Sequence, residues 1–285
     1  MKIGLVFEGG ASRGLFSCGV MDALLEEKII ADYVIGVSAG IAYGTSYVSG
    51  QIGRNLELSM KYMNDKRYMG TRHLLNPKKR SYYNMDFAFK RIPEELVPFD
   101  FDAFANSKST NIATLTNMRT GEPEYITLPT DDWDKHLKIL WASCALPFLF
   151  RPEEIDGQLY MDGGISDPIP FRKALDDGCD KVIVVLTRER SYAKSSDLSI
   201  NLAKAAYRKY PAFADALEKR SEKYNQSRKE IFDLTDNKQI ITIMPHDTSN
   251  FNRTERNPEK LKVMYDDGYK TTMDMMREIK SYLDI

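Results

Sequence analysis

The chain contains 285 residues, near the upper size of a single hydrophobic core, which predicts one domain or one domain with an appended helical part. Its 40 lysines and arginines are balanced by 41 aspartates and glutamates, giving a formal net charge of -1. A nucleic-acid-binding protein needs an excess of positive charge to neutralise phosphates, so no nucleic-acid partner is expected.

The sequence also lacks signatures of metal binding, disulfides and membrane insertion. Its three cysteines, Cys18, Cys144 and Cys179, match neither a zinc-like spacing nor a disulfide framework. No cluster of metal ligands is evident, so no metal and no cofactor are expected. No apolar run reaches about 18 residues, and the N-terminus lacks the apolar region of a signal peptide. We therefore predict a cytoplasmic protein whose contact with membranes, where it occurs, is peripheral.

The predicted elements alternate between strands and helices. Residues 2–7 form a short apolar run that predicts a buried strand, and a glycine turn and an apolar helical pattern follow at once. Residues 33–37 predict a second strand, which also turns directly into a helix. Further strands and helices are predicted at residues 112–115, 133–143, 167–177, 181–186 and 239–244. This alternation predicts an α/β fold with a mainly parallel sheet covered by helices on both faces.

Two regions between these elements show no regular pattern. Residues 51–108 are polar and rich in tyrosine and proline, and they are interpreted as an irregular excursion from the fold. Residues 191–199 are expected to form a flexible loop.

The C-terminal third carries helical patterns at residues 199–233 and 257–283. We therefore predict a single domain, residues 1–285. Its core spans about residues 2–190, and its C-terminal part, about residues 199–285, is helical.

Residues 36–40, Gly36-Val37-Ser38-Ala39-Gly40, form a G-x-S-x-G motif between a predicted strand and a predicted helix. In this context the serine sits on a sharp turn with its hydroxyl exposed. The flanking glycines, Gly36 and Gly40, remove side chains that would block the turn or an approaching substrate. A glycine-rich turn with a capping serine is the alternative, and the strand-to-helix placement favours a nucleophile.

Residues 8–14, Glu8-Gly9-Gly10-Ala11-Ser12-Arg13-Gly14, follow the first strand and open the first helix, where backbone N–H groups and the helix dipole attract negative charge. Three anions compete for such a loop: a nucleotide phosphate, a dinucleotide pyrophosphate and the oxyanion of an acyl intermediate. Leu15 and Phe16 replace the lysine and hydroxyl residue of a P-loop, and no register gives G-x-G-x-x-G. The spacing favours the oxyanion, while Arg13 either contacts a lipid phosphate or caps local acids.

Asp162 ends a short apolar run and is followed by Gly163 and Gly164, which let other backbone approach the carboxylate. An ordinary Asp-Gly-Gly turn is the alternative. The glycine-rich loop and the G-x-S-x-G motif in the same chain favour a functional carboxylate.

Taken in this order, the three segments resemble the patatin-like phospholipase family. Residues 142–152, Ala-Ser-Cys-Ala-Leu-Pro-Phe-Leu-Phe-Arg-Pro, are similar to the family's A-S-x-A-x-P segment, and Asp167-Pro168-Ile169-Pro170 follows the aspartate. The resemblance spans about residues 2–186 and implies a three-layer α/β/α fold.

The resemblance also implies a two-step acyl transfer. Asp162 would take the proton of Ser38, Ser38 would attack an ester carbonyl, and water would then release the fatty acid. The amides of Gly9, Gly10 and Ala11 would form the oxyanion hole. One departure concerns Ala11, which stands where the family usually has a third consecutive glycine, so the hole depends on whether the backbone there tolerates Cβ. The implied substrate is a phospholipid or a lysophospholipid, and a triacylglycerol or a short soluble ester remains an open alternative.

Acyl specificity is expected to lie in pocket shape and in a lid, for which residues 51–108 are the candidate. The aromatic side chains of this region are predicted to border the acyl pocket, among them Tyr82, Tyr83, Phe87 and Phe89.

A histidine-dependent α/β-hydrolase is one alternative, because His246 follows Ser38 and Asp162 as that chain order requires. That fold, however, builds several strands before its nucleophile, whereas one predicted strand precedes the strand that carries Ser38. We therefore expect His73, His136 and His246 to be structural or surface residues.

A lipid-binding or acyl-binding protein without turnover is the second alternative. Ala11 favours it, and the intact pair of Ser38 and Asp162 weighs against it.

Overall fold

An eight-stranded sheet runs through the centre of the molecule. The structure is a computed structural model that describes residues 1–75, 81–195 and 200–285, with the backbone alone described at residues 200 and 201. The strands are β1 (Ile3–Phe7), β2 (Tyr33–Gly36), β3 (Thr110–Asn117), β4 (Pro123–Thr127), β5 (Glu153–Ile155), β6 (Gln158–Asp162), β7 (Lys181–Val185) and β8 (Ile241–Ile243). Their order across the sheet is β5-β6-β3-β2-β1-β7-β8, with β4 paired to β3 outside this path.

Along this order, neighbouring strands pair in parallel in the run β3-β2-β1-β7-β8. Strands β4 and β6 pair antiparallel with β3, and β5 pairs antiparallel with β6. Burial explains the apolar runs of the parallel strands. In β1, Leu5 and Phe7 enter the core on one face and Val6 enters the core on the other. A parallel strand covered on both faces reads as a continuous apolar run rather than an alternating one.

Ten α-helices are described, and they cover both faces of the sheet. They are α1 (Gly14–Glu26), α2 (Ala39–Val48), α3 (Arg54–Tyr62), α4 (Phe101–Ala105), α5 (Trp133–Cys144), α6 (Phe171–Asp176), α7 (Ile200–Ala206), α8 (Pro211–Asp236), α9 (Pro258–Asp274) and α10 (Met276–Tyr282). The core on one face draws side chains from α1, α2, α5 and α9, and the core on the other draws them from α6 and α8. The predicted three-layer α/β/α fold is thus confirmed.

Two strands meet end to end along one edge of β3. On this edge β2 pairs with residues 110–113 of β3 and β6 pairs with residues 115–117, while β4 occupies the opposite edge at residues 112–116. Because β2 runs parallel to β3 and β6 runs antiparallel, their carboxyl ends face each other across Thr114. The residues that follow β2 and end β6 are therefore brought together.

The helix α9 packs against α1 at very short range. A Cβ atom built on Gly19 of α1 would lie 2.1 Å from the carbonyl oxygen of Tyr265, and one on Gly268 of α9 would lie 2.0 Å from that of Phe16. Such approach of two helix backbones is open only to glycine at both crossing points. Helix α9 thereby covers one side of α1.

The structure departs from the sequence-based expectations in three respects, and a fourth expectation falls partly outside the described residues. Residues 51–108 are more regular than expected, because they contain α3, α4, a 3-10 turn (Thr71–Leu75) and a π-helical segment (Phe87–Leu96). Pro93 lies inside that π-helical segment, whose wider turn hides the 3.6-residue period. The helix predicted at residues 257–283 is broken at Met275, and the short strands β4 and β5 were not predicted. Of the loop predicted at residues 191–199, residues 196–199 lie outside the described residues.

The α1–α9 contact predicts that Gly19→Ala lowers the free energy of unfolding by about 1–3 kcal/mol, because the added methyl group meets backbone rather than a flexible side chain. Urea denaturation followed by circular dichroism measures the change. Gly44→Ala in α2 is the matched control: its Cβ would lie 3.6 Å from Val34 Cγ1, an ordinary contact, so the variant should gain up to about 1 kcal/mol. A wild-type midpoint for Gly19→Ala would contradict the close contact.

Candidate active site

Ser38 occupies the turn between β2 and α2. Its backbone angles, φ 53° and ψ −127°, lie in a region that non-glycine residues rarely adopt, which costs about 1–3 kcal/mol. The turn is sharp because α2 begins directly against the end of β1: a Cβ on Gly40 would lie 2.6 Å from the Phe7 carbonyl oxygen. This is the strand-turn-helix geometry that exposes a serine hydroxyl.

Ser143 ties this turn to the sheet. The Ser38 N–H donates a hydrogen bond of 2.9 Å to Ser143 Oγ, and the Ser143 hydroxyl donates one of 2.9 Å to the carbonyl oxygen of Thr114. Ser143 is fully buried at the end of α5. The sequence motif contained Ser143, but its role as an anchor was missed, because only the fold shows that it faces both the turn and β3.

Asp162 stands at the end of β6, buried to 2% exposure. Its Oδ1 accepts a 2.8 Å hydrogen bond from the Gly164 N–H, whereas its buried Oδ2 has no hydrogen-bond partner among the described residues. The Ser38 hydroxyl is near enough to lower the pKa of this carboxyl, although the pair forms no hydrogen bond of normal geometry. Catalytic hydrogen bonds are often long or misaligned before substrate binds.

Burial sets the charge state of Asp162. Removal from water raises the pKa of the carboxyl above its ordinary value, and the positive charges of Arg220 and Arg253 lower it in part. The net effect is a raised pKa. The ionised carboxylate is therefore a stronger base than an exposed aspartate.

The glycine-rich loop lies against the Ser38 turn. A Cβ on Gly9 would lie 2.9 Å from the Val37 carbonyl oxygen and 3.1 Å from Ser38 Cβ, so only glycine allows this approach. Among the described residues, the backbone N–H groups of Gly9, Gly10 and Ala11 donate no hydrogen bond. They remain available to an anion at the serine.

Ala11 keeps the amide at the position of the third glycine. Its φ of 50° is in the left-handed region, where Cβ costs about 1–2 kcal/mol. The backbone therefore holds a glycine-like conformation despite the side chain. Among the other motif glycines, Gly14, Gly36 and Gly164 approach residues 37–43 around the same turn, whereas Gly163 approaches the backbone of Thr114.

Ser38 lines two pockets of opposite character. One is an apolar cavity of about 130 Å³, and the other is a polar pocket of about 50 Å³. The cavity wall is formed by side chains of the 51–108 region and of α2 and α5, among them Ala42, Leu58, Met63, Tyr83, Phe89, Trp133 and Leu140. The polar pocket holds ionisable side chains: Glu8, Arg13, Asp162, Arg188, Lys194, Arg220 and Arg253.

Two of the four aromatic residues predicted to border an acyl pocket line the apolar cavity beside Ser38. Tyr83 and Phe89 line the apolar cavity. Tyr82 and Phe87 do not, because Tyr82 packs edge-on against Tyr83 and Phe87 belongs to a separate cluster around Ile92.

Arg13 lies in the polar pocket with Ser38 and Asp162. Glu8 lines the same pocket but accepts no hydrogen bond from Arg13: its carboxylate oxygens accept from the Tyr224 hydroxyl at 2.7 Å and the Thr187 N–H at 2.6 Å. Of the two roles considered for Arg13, contact with an anion fits this arrangement better than capping an acid.

Of the three histidines, His136 lines the apolar cavity beside Ser38, whereas His73 and His246 line neither pocket. His246 is exposed and contacts Asp267, and His73 lies in the 3-10 turn at residues 71–75. His136 is buried in the wall of the apolar cavity, where its Nδ1 contacts the Pro129 carbonyl oxygen at 3.0 Å and burial lowers its pKa to about 4. Among the described residues, no histidine lines the polar pocket.

The described part of the chain lacks two further kinds of feature. It contains no group of three or more His, Cys, Asp or Glu side chains arranged to hold a metal ion. None of its helices is both long and apolar enough to cross a membrane.

The chain belongs to the patatin-like phospholipase family, whose model matches residues 5–175. These residues contain the glycine-rich loop, the Ser38 turn and Asp162. A second model, described as Domain of unknown function (DUF6363), matches residues 210–284, which include α8, α9 and most of α10.

The relatives of this chain include one uncharacterised protein and several lysophospholipases. The Uncharacterized protein YjjU of Escherichia coli is 26% identical over 191 residues, which cover 65% of this chain and 52% of YjjU. Lysophospholipase NTE1 of Cryptococcus neoformans is 28% identical over 204 residues, covering 65% of this chain and 11% of the relative. The chain thus matches about half of one relative and about a tenth of the other.

The solved structure of VipD from Legionella pneumophila also resembles this chain. It shares 16% sequence identity, with a TM-score of 0.48, over 97% of this chain and 66% of VipD.

Ser143→Ala is expected to lower the free energy of unfolding by about 1–3 kcal/mol, because it leaves the buried Ser38 N–H and Thr114 carbonyl without their shared partner. Thermal and urea unfolding measure the change. Ser17→Ala is the control, since Ser17 is equally buried but its hydroxyl has no partner in the described structure. Equal effects of the two substitutions would refute the anchoring role.

Ala11→Gly is expected to raise the free energy of unfolding by about 1 kcal/mol. Relief of the left-handed strain, about 1–2 kcal/mol, outweighs the added flexibility of glycine in the unfolded chain. Ala23→Gly inside α1 should shift the urea midpoint in the opposite direction, because its backbone is helical. Destabilisation by Ala11→Gly would show that Ala11 is not strained.

Proposed function

We propose that this protein is a serine acyl hydrolase that cleaves carboxylic esters of lipids. The observation that carries the proposal is the position of Ser38, on a strained turn where an apolar cavity meets a pocket with a buried carboxylate. An acyl chain in the cavity would bring its ester carbonyl to Ser38. Family membership and the similarity to proteins named lysophospholipase support lipid ester hydrolysis as the reaction.

In the proposed mechanism, Asp162 Oδ2 accepts the proton of Ser38 as Ser38 Oγ bonds to the ester carbonyl carbon. The carbonyl π electrons move onto oxygen, and the N–H groups of Gly10 and Ala11 donate to this oxyanion. The oxyanion then reforms the carbonyl and expels the alcohol, which takes the proton from Asp162. Water repeats the sequence on the acyl-enzyme, releasing the fatty acid and restoring the Ser38 hydroxyl.

Asp162 is suited to act as the base without a histidine. Its Oδ2 has no other hydrogen-bond partner among the described residues, and burial raises its pKa toward the range in which proton transfer is efficient. His246, the candidate base of the histidine-dependent alternative, is exposed and lines neither pocket. We therefore propose that Ser38 and Asp162 form the catalytic dyad.

Cys144 lies beside Ser38 in the cavity wall and could compete as a nucleophile. Burial raises the pKa of its thiol to about 12, so the thiol stays protonated at neutral pH. Since the thiolate is the nucleophilic form, Ser38 rather than Cys144 is expected to carry the acyl group.

Phospholipids or lysophospholipids are the proposed substrates.

All three cysteines of the chain are unpaired, which supports the prediction of a reducing, cytoplasmic setting. If the protein hydrolyses no ester, we infer instead that it binds a lipid or acyl group without turnover.

Hydrolysis of p-nitrophenyl butyrate tests the dyad. Ser38→Ala should reduce turnover to background, and Asp162→Asn should lower kcat by about 10²–10⁴-fold, the typical contribution of a general base. Asp134→Asn, at an aspartate whose side chain is 85% exposed, should match the wild type. Full turnover by either site variant, with the protein folded, would contradict the assignment.

The raised pKa of Asp162 also predicts a pH-dependent stability difference. The ionised carboxylate destabilises the fold at pH values above its folded-state pKa, and protonation removes this effect as the pH falls. Asp162→Asn should therefore be at least as stable as the wild type at neutral pH. Its advantage should shrink as the pH is lowered through the folded-state pKa, and urea denaturation over a pH series measures this. An advantage that grows in acid would contradict the sign.

A further inference from the structure

The polar pocket beside Ser38 is strongly cationic. Five of its side chains are bases, and together they surround the space next to the serine: Arg13, Arg188, Lys194, Arg220 and Arg253. Two carboxylates, Glu8 and Asp162, also line the pocket. At neutral pH the pocket therefore carries more positive than negative charge, although the whole chain has a net charge of -1.

Three of these cations are not neutralised within the described part of the chain. Among the described residues, the side chains of Arg13, Lys194 and Arg253 form no ion pair and donate no hydrogen bond, and the Nε atoms of Arg13 and Arg253 are buried without a partner. The oxygens of Glu8 are occupied by Tyr224 and Thr187. Buried polar groups are normally satisfied, so this arrangement indicates a site for an anion from outside the chain.

Clustering these cations is unfavourable in the absence of an anion. Burial, together with the neighbouring charges of Arg220 and Arg253, lowers the pKa of Lys194 to about 8. Burial also lowers the pKa of Arg13, with further lowering by Arg253 and Arg188. A bound anion would remove this repulsion and supply acceptors to the guanidinium groups.

The segment matched by the model of unknown function contributes to this pocket. Arg220 and Tyr224 project from α8, and Arg253 lies in the loop between β8 and α9. Arg253 is also fixed to the glycine-rich loop, because its carbonyl oxygen accepts a 3.1 Å hydrogen bond from the Ser12 N–H. The C-terminal segment thus completes one side of the space next to Ser38.

We propose that the cationic pocket binds the phosphate monoester group of the lipid substrate, so that the preferred substrate is an acylated glycerol phosphate. The inference rests on the proposed hydrolase function and deepens it. The apolar cavity takes the acyl chain, Ser38 meets the ester, and the phosphate lies across the glycerol backbone among the guanidinium groups. A choline head group would bring a fixed positive charge toward the same cations, and an unmodified glycerol would leave them without an anion.

Three substrates with the same acyl chain test this preference: 1-oleoylglycerol 3-phosphate, 1-oleoylglycerophosphocholine and 1-oleoylglycerol, each at equal mole fraction in detergent micelles. The value of kcat/KM should be at least about 10-fold higher for the phosphate monoester, because charge-assisted hydrogen bonds are the strong ones. Equal values for the three lipids would overturn the inference and leave the hydrolase function intact.

Arg253→Gln should raise KM for the phosphate monoester and reduce its preference over 1-oleoylglycerol by about 10- to 100-fold. Arg190→Gln is the matched control, since Arg190 is exposed and pairs with Asp236 outside the pocket. If Arg253→Gln instead lowers kcat for all three lipids equally and shifts the acid limb of the pH profile, Arg253 acts on Asp162 and the inference is wrong.

A binding measurement separates failure of the pocket from failure of catalysis. Glycerol 3-phosphate should raise the thermal midpoint of the wild type and of Ser38→Ala, and it should raise that of Arg253→Gln less. Stabilisation by inorganic phosphate but not by glycerol 3-phosphate would show a site for free phosphate and overturn the substrate assignment. Absence of stabilisation by both would overturn the site itself, whether or not the protein hydrolyses esters.

Discussion

The site depends on how two strands share one edge of β3. Strands β2 and β6 approach each other from opposite directions and end on either side of Thr114. The carbonyl oxygen of Thr114 accepts the hydrogen bond from Ser143, whose Oγ accepts the N–H of Ser38. One position in the sheet therefore fixes the serine turn directly and brings the aspartate at the end of β6 to the same place, although the two residues are far apart in the sequence.

Several local features of this arrangement lower the stability of the fold. Ser38 and Ala11 both have positive φ, the carboxyl of Asp162 is buried with one oxygen lacking a partner among the described residues, and cations cluster beside it. Each feature destabilises the fold by itself, and each concerns a group proposed to meet substrate. Strain and unpaired polar groups of this kind persist where the surrounding structure is stable enough to hold them in place. Here that structure includes the buried sheet and the tight crossing of α1 and α9.

Much of the fold and half of the site follow from local patterns in the sequence. The repeated strand-turn-helix pattern predicted the parallel sheet and placed Ser38 and the Gly9-Gly10 loop in the turns that follow its first two strands. The strands β4 and β5 were not predicted, since β4 is only partly buried without a clear alternation and β5 has only three residues. Arg188 and Arg253 also escaped, because their meeting depends on tertiary contacts between distant segments rather than on any local spacing.

The family membership and the geometry bear on different questions. Membership in the patatin-like phospholipase family bears on the class of reaction. The family model matches residues 5–175. The geometry adds the segment beyond that match, because Arg220 and Arg253 come from residues 210–284 and line the pocket shared with Ser38. The proposed substrate preference thereby involves a part of the chain that the family match does not cover.

The central claim is that Ser38 is a nucleophile activated by Asp162, and covalent labelling with a fluorophosphonate tests it most directly. The account predicts one adduct per chain, located on Ser38 by peptide mass spectrometry. Labelling should be absent in Ser38→Ala, and it should be slowed by at least about 100-fold in Asp162→Asn. A folded wild-type protein that takes up no label, or takes it up at another residue, would contradict the claim.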